Sequence, residues 1–233
     1  MKKYPTFVMG TLLLATLALQ ACSDSDDRAS AGTTMRSYEV TVVNLTNNQP
    51  FSPLAAILHK STYQGMTLGA SASPGLETLA ESGDNSPFLA DANANTAVSD
   101  TASGAGLIAS GTQETVMLTG SETRLTLASM LVNTNDAIAA LNGIELGNMA
   151  LNEVMTLHAR AYDAGTEDNN EANSDVPGPA ADGEGFNATR NDRDFVIVHP
   201  GVIGMEDGLS TSVLTEAHRF DNAVAKITIK RTS

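Results

Sequence analysis

The chain has 233 residues, with 27 acidic side chains against 13 Lys and Arg, a formal charge of −14, and one cysteine. That balance argues against a nucleic-acid binder, because such binding rests on neutralising phosphates with Lys and Arg. A single cysteine excludes an internal disulfide and a cysteine-based zinc site, so a domain of this length must fold by burial alone.

Residues 1–21 read as an export signal. Lys2 and Lys3 precede an apolar run over 7–19, too short for a transmembrane helix, which takes about 20 residues. The run ends in Leu19-Gln20-Ala21-Cys22, which resembles a bacterial lipobox. The resemblance implies that Cys22 is acylated and becomes the new N-terminus, a lipid anchor in the membrane of the cell envelope. Several acyl chains on one residue would hold firmly, since each buried methylene contributes about 0.8 kcal/mol. Ser23 in place of Asp after the cysteine points to the outer membrane. Residues 22–36 are small and polar and read as a tether, with a reach of roughly 20 Å at 5–6 Å × √n. The folded domain is expected over 37–233.

From Ser37 the pattern alternates as in a strand, through Tyr38, Val40, Val42 and Leu45, until Asn47-Asn48-Gln49-Pro50 breaks it. A short apolar run follows over 53–58. Residues 74–82 place Leu76, Leu79 and Ala80 at helical spacing, with Gly83 as a stop, so one short helix is expected there. Residues 84–111 are rich in Ala, Asn, Ser and Gly and read as loop. Further strands are expected over 114–118, 124–132, 152–161, 195–198 and 223–230, with a long polar loop over 168–193. Short strands, long connections and one minor helix predict an all-β fold, an antiparallel β-sandwich.

Three blocks carry a family resemblance: YEVTVVNLTNNQPFSPLAAILHK over 38–60, LASMLVNTNDAIAALNGIEL over 127–146, and YDAGTEDNNE over 162–171. HPGV over 199–202 accompanies them. In this order they resemble the bacterial branch of the spondin N-terminal domain family, with coverage from Tyr38 to about Lys230. The resemblance implies a β-sandwich that binds calcium at one end. An Asp after a strand and the two acids of an Asp-Ala-Gly-Thr-Asp motif would hold the ion. Those positions fall on Asp136, Asp163 and Glu167. The chain departs from the pattern at Tyr162, where animal members carry Trp, at Ala137, and at Glu167, one methylene longer than Asp.

The residues themselves suit that chemistry. Calcium takes six to eight oxygens from carboxylates, carbonyls and water. Gly165 allows a tight turn in which Asp163 and Glu167 face one point. The spacing alone fits equally an Asx-turn with two solvated acids. Carboxylates gathered without a cation repel one another, so the loops splay or an acid takes up a proton.

His199 precedes Pro200 at a strand end and reads as a packed or turn-fixing imidazole. The other histidines are scattered, and the chain has no HExxH, G-x-S-x-G, Walker loop or GxGxxG. The expected function is a non-enzymatic, calcium-binding adhesion or protein-binding module of the envelope. Its expected partners are the membrane, through the anchor, and a surface or extracellular protein or glycan. An envelope hydrolase using His199 and a purely structural envelope component are the rival readings.

Overall fold

A computed structural model describes residues 1–2 and 34–233. The expected signal segment and Cys22 lie outside the described residues, as does most of the expected tether. Residues Thr33–Ser233 form one compact unit.

The sheet strands are β1 (Arg36–Asn44), β2 (Ala55–His59), β3 (Val98–Ser103), β4 (Gln113–Gly120), β5 (Arg124–Met130), β6 (Ala137–Glu145), β7 (Val154–Asp163), β8 (Ile197–Val198) and β9 (Ala225–Arg231). The order is β3-β2-β5-β6-β7-β9-β1-β4, with β8 paired to β7, and every pairing is antiparallel. The all-β reading therefore holds. Its layers come from one sheet curling on itself into a nearly closed barrel. At the seam between β3 and β4, the Thr119 N–H donates to the Asp100 carboxylate at 2.6 Å. Gly120 is needed there, because a Cβ would lie 2.2 Å from Ser99 Oγ.

Two helices lie on the outside, α1 (Pro74–Ser82) and α2 (Ser86–Asn93), where the sequence suggested one. The Ser73 side chain caps α1 by accepting from the Leu76 N–H, and Gly83 ends it at φ 73°. Helix α2 and strand β3 both fall inside 84–111, the stretch read as loop. Their signals are weak for a physical reason. Only Phe88, Leu89 and Ala92 of α2 are buried, and β3 is a short sheet-end strand of small, part-exposed residues.

There are two apolar layers. Alternate residues of β1, β4, β7 and β9 fill the barrel interior with Leu125, Leu127 and Phe51. Leu76, Leu79, Phe88 and Leu89 pack on the outside of β2, β5 and β6 through Ala55, Ile57 and Ala128. Strand β2 thus serves both layers and is buried at every residue, which explains its unbroken apolar run. Among the described residues, no helix is long and apolar enough to cross a membrane.

Candidate metal centre

Antiparallel register brings the expected acids together. Asp136 immediately precedes β6, and Asp163 ends β7. Ala137 pairs with Asp163, and the Ala164 N–H donates to the Asp136 carbonyl at 3.2 Å. The two acids are therefore diagonal neighbours at the end of one ladder, each opposite an alanine, and Asp163 is close enough to raise the Asp136 carboxyl.

The turn that carries Asp136 is rigid because its polar groups are paired inside the protein. Thr134 Oγ1 donates to the Leu131 carbonyl at 2.6 Å and accepts from the Ala137 N–H at 3.1 Å. The Gln49 amide donates to the Asn133 carbonyl at 3.0 Å and accepts from its N–H at 3.1 Å. Gln49 is held in turn through its carbonyl, which accepts from Asn44 Nδ2 and Thr46 Oγ1 at 2.8 Å each. The Asn44, Thr46 and Gln49 positions of the first sequence block thus act as a brace for the Asp136 turn.

Asp136 organises the second loop. Its Oδ2 accepts from the Thr166 N–H at 2.8 Å, Thr166 Oγ1 at 3.2 Å and the Glu167 N–H at 3.2 Å. Asp163 Oδ1 accepts from the Gly165 N–H, and its Oδ2 from Asn169 Nδ2, each at 2.8 Å. Gly165 has φ 74°, and a Cβ there would lie 2.5 Å from the Phe195 carbonyl oxygen. Only glycine meets both demands.

Three oxygens in these segments have no partner in the protein: Asp136 Oδ1, Asn169 Oδ1 and Glu171 Oε2. Asp136 is 0% and Glu171 1% exposed. Buried polar atoms are normally paired, and an unpaired carboxylate oxygen is costly. Burial pushes all these acids up. Asp163 adds to the shift at Asp136, and Asp163 is itself raised by burial. Glu167 is pushed up to about 8 by burial and the nearby Glu81 and Asp136. Glu171 rises to about 7 by burial and the charge of Asp136.

Glu171 was not singled out from sequence, although it closes the YDAGTEDNNE block. Its signal is visible only in three dimensions: the loop turns back at Glu171, φ 52°, and its N–H donates to Asn135 Oδ1 at 3.2 Å. That contact ties it to the turn bearing Asp136.

The donor set is all oxygen and acidic, which fits calcium rather than a softer metal. Among the described residues, however, no group of three or more His, Cys, Asp or Glu side chains is already arranged to hold a metal ion. The hydrogen bonds give a reason: both Asp163 oxygens are turned onto loop donors.

The outer rim of the loop is strapped to α1. Arg190 donates to both Glu77 oxygens, at 2.9 and 2.6 Å, and to the Ala72 carbonyl at 2.8 Å. Glu81 accepts from the Asn187 N–H at 3.0 Å.

His199 lies apart from this set. Its N–H donates to the Ala161 carbonyl at 3.1 Å, and its Nδ1 accepts from the Gly201 N–H at 2.9 Å. The ring packs 5.3 Å from Phe220. Burial pushes it down to about 4, so it is a neutral, turn-fixing imidazole at pH 7. Among the described residues, no carboxylate or nucleophilic hydroxyl bonds to it.

Residues 41–177, more than half of the chain, match the model of the spondin N-terminal domain family (Spondin_N). The chain belongs to that family. No curated protein matches it. Spondin domains are generally binding modules of extracellular adhesion type and not enzymes. The matched span is shorter than the 38–230 suggested by the motifs. It contains Asp136, Asp163, Glu167 and Glu171, and it omits β9 and His199.

Proposed function

We propose that this spondin domain is a calcium-dependent adhesion or protein-binding module, displayed on the cell envelope through a lipid on Cys22. Asp136, Asp163 and Glu167 would hold the ion, with Glu171 as a fourth carboxylate. The observation that carries the reading is the pair of unpartnered, buried carboxylate oxygens on Asp136 and Glu171. A divalent cation would supply the missing partner and offset the burial that raises all four acids, together with the repulsion that Asp136 exchanges with its neighbours. Asp163 would have to exchange its loop donors for the ion, so calcium and the 163–171 loop order together. The lipid anchor and envelope location rest on the sequence around Cys22. Sparse long-range cationic charge supports a partner other than nucleic acid.

A ligand that binds only the folded state stabilises by RT ln(1 + [L]/Kd), about 2.7 kcal/mol at a hundredfold excess over Kd. Calcium should therefore raise the melting temperature of the parent and EDTA should lower it. Asp136→Asn keeps an acceptor for Thr166 and Glu167 but removes the charge, so its melt should ignore calcium. Identical parent melts in calcium and EDTA, together with no calorimetric heat of calcium binding, would rule the reading out.

A further inference from the structure

The outside of the barrel is covered unevenly. Helices α1 and α2 pack over β2, β5 and β6, whereas the outward side chains of β7, β9, β1 and β4 are exposed or half-buried. Register fixes what this bare face displays. Thr156 pairs with Thr228, Thr228 with Thr41, and Thr41 with Thr115. Four threonines on four neighbouring strands thus form one row, with about 4.8 Å between strands. The Thr41 and Thr115 hydroxyls are 2.8 Å apart.

Cations flank the row. Lys226 and Lys230 stand on β9 two residues either side of Thr228, on the same face. Arg160 stands four residues beyond Thr156 on β7. None of the three forms an ion pair among the described residues. Among the outward positions of these four strands, Glu39, opposite Lys230, is the single acid.

Two ordinary explanations fall short. Lysines often guard sheet edges against further pairing, but β9, which carries both lysines, is paired with β1 on one side and β7 on the other. The chain's −14 charge repels polyanions at long range, yet fields are screened over about 8 Å at physiological salt. Lys226 and Lys230 pair with His158 and Val154, roughly 17 and 30 Å along β7 from Asp163 at about 3.4 Å per residue. Arg160 is nearer, about 10 Å along β7 from Asp163 at about 3.4 Å per residue, still beyond the screening length. A ligand centred on the lysines and threonines therefore meets local cations and hydroxyls away from the loop-end acids.

We propose that the β7-β9-β1-β4 face binds an extended anionic polysaccharide, with Lys226, Lys230 and Arg160 on its acidic groups and the threonine row on its hydroxyls. A protein-docking patch needs an apolar or aromatic centre, whereas this face is centred on threonines; Tyr162, at the loop end of β7, is half-buried and packs against the helix-covered layer. A lipid surface favours inserted apolar side chains, and the exposed Val154 and Met117 stand only at one end of the face. The proposal rests on the binding-module reading but uses a different surface from the calcium site.

The test is affinity electrophoresis of the full-length protein in gels containing dextran sulfate or unmodified dextran. Dextran sulfate should retard the parent and dextran should not. Lys226→Gln with Lys230→Gln should weaken retention about tenfold, and Thr41→Val with Thr228→Val about threefold, both with parental melting temperatures. EDTA should leave retention unchanged, which separates this proposal from the calcium reading. Equal retention of parent and lysine variant, equal retardation by dextran, or capture by phosphatidylglycerol vesicles without retention on dextran sulfate would each overturn it.

Discussion

The barrel interior and the loop end around Asp136 are both buried, but they are stable on different terms. Inside the barrel, Leu125, Leu127 and Phe51 meet other apolar side chains, and nothing outside the protein is needed to complete the packing. At the loop end, Asp136, Glu167 and Glu171 are as deeply buried, yet oxygens of Asp136 and Glu171 lack a partner. Burial of carbon is self-sufficient. Burial of carboxylates is conditional on a proton or a cation.

Mutation should expose this difference. Leu127→Ala opens a cavity in the interior and should cost about 2–5 kcal/mol, by the same amount in calcium and in EDTA when read by urea denaturation. A loss that calcium rescues would mean that the two regions are not separable.

Arg190→Gln acts at the boundary, where Glu77 would lose its two charge-assisted bonds. The expected cost is about 1–3 kcal/mol. It should be accompanied by faster amide exchange in the 187–196 strap, with the barrel strands unaffected.

The pH dependence should be of opposite sign for the loop-end acids and for His199. Glu167 and Glu171 titrate near 8 and 7 in the folded protein, against an ordinary 4.5. The unfolded chain therefore releases these protons first, and metal-free stability should fall as pH rises from about 4.5 to about 8. His199 works the other way: burial depresses it to about 4 from 6.5. Its contribution is present above pH 6.5 and lost as pH falls towards 4. Urea midpoints measured from pH 4 to 8 should show the alkaline decline in EDTA and lose it in saturating calcium. A decline of the same slope in both would place the raised acids elsewhere.

Lys60→Gln provides the smallest contrast. Its 3.8 Å contact with Glu122 is solvent-exposed, and its loss should change stability by less than about 1 kcal/mol.

The sequence revealed elements whose two sides face different media. β1 and β9 alternate because one side faces the interior and the other the solvent, and α1 shows its stripe, cap and glycine stop. It concealed α2 and β3, where few side chains are buried, it gave no strand for β6, whose first four residues are all buried and do not alternate, and it blurred β2, which is buried on both sides. For the site, the resemblance marked Asp136, Asp163 and Glu167. It did not single out Glu171, whose place depends on how the loop doubles back on Asn135. Nor did it separate the brace at Asn44, Thr46 and Gln49 from the acids that the brace positions. That distinction requires knowing which polar groups the fold has already paired.

Strand β9 lies between β7 and β1, so the link between the first strand and the rest of the sheet is supplied by residues 225–231. A chain that emerges N-terminus first during synthesis cannot assemble this barrel progressively. β1 must wait, with one pairing edge bare, until nearly everything after it has emerged. During that interval the first strand is exposed to wrong partners, and a holding chaperone would have most to protect there.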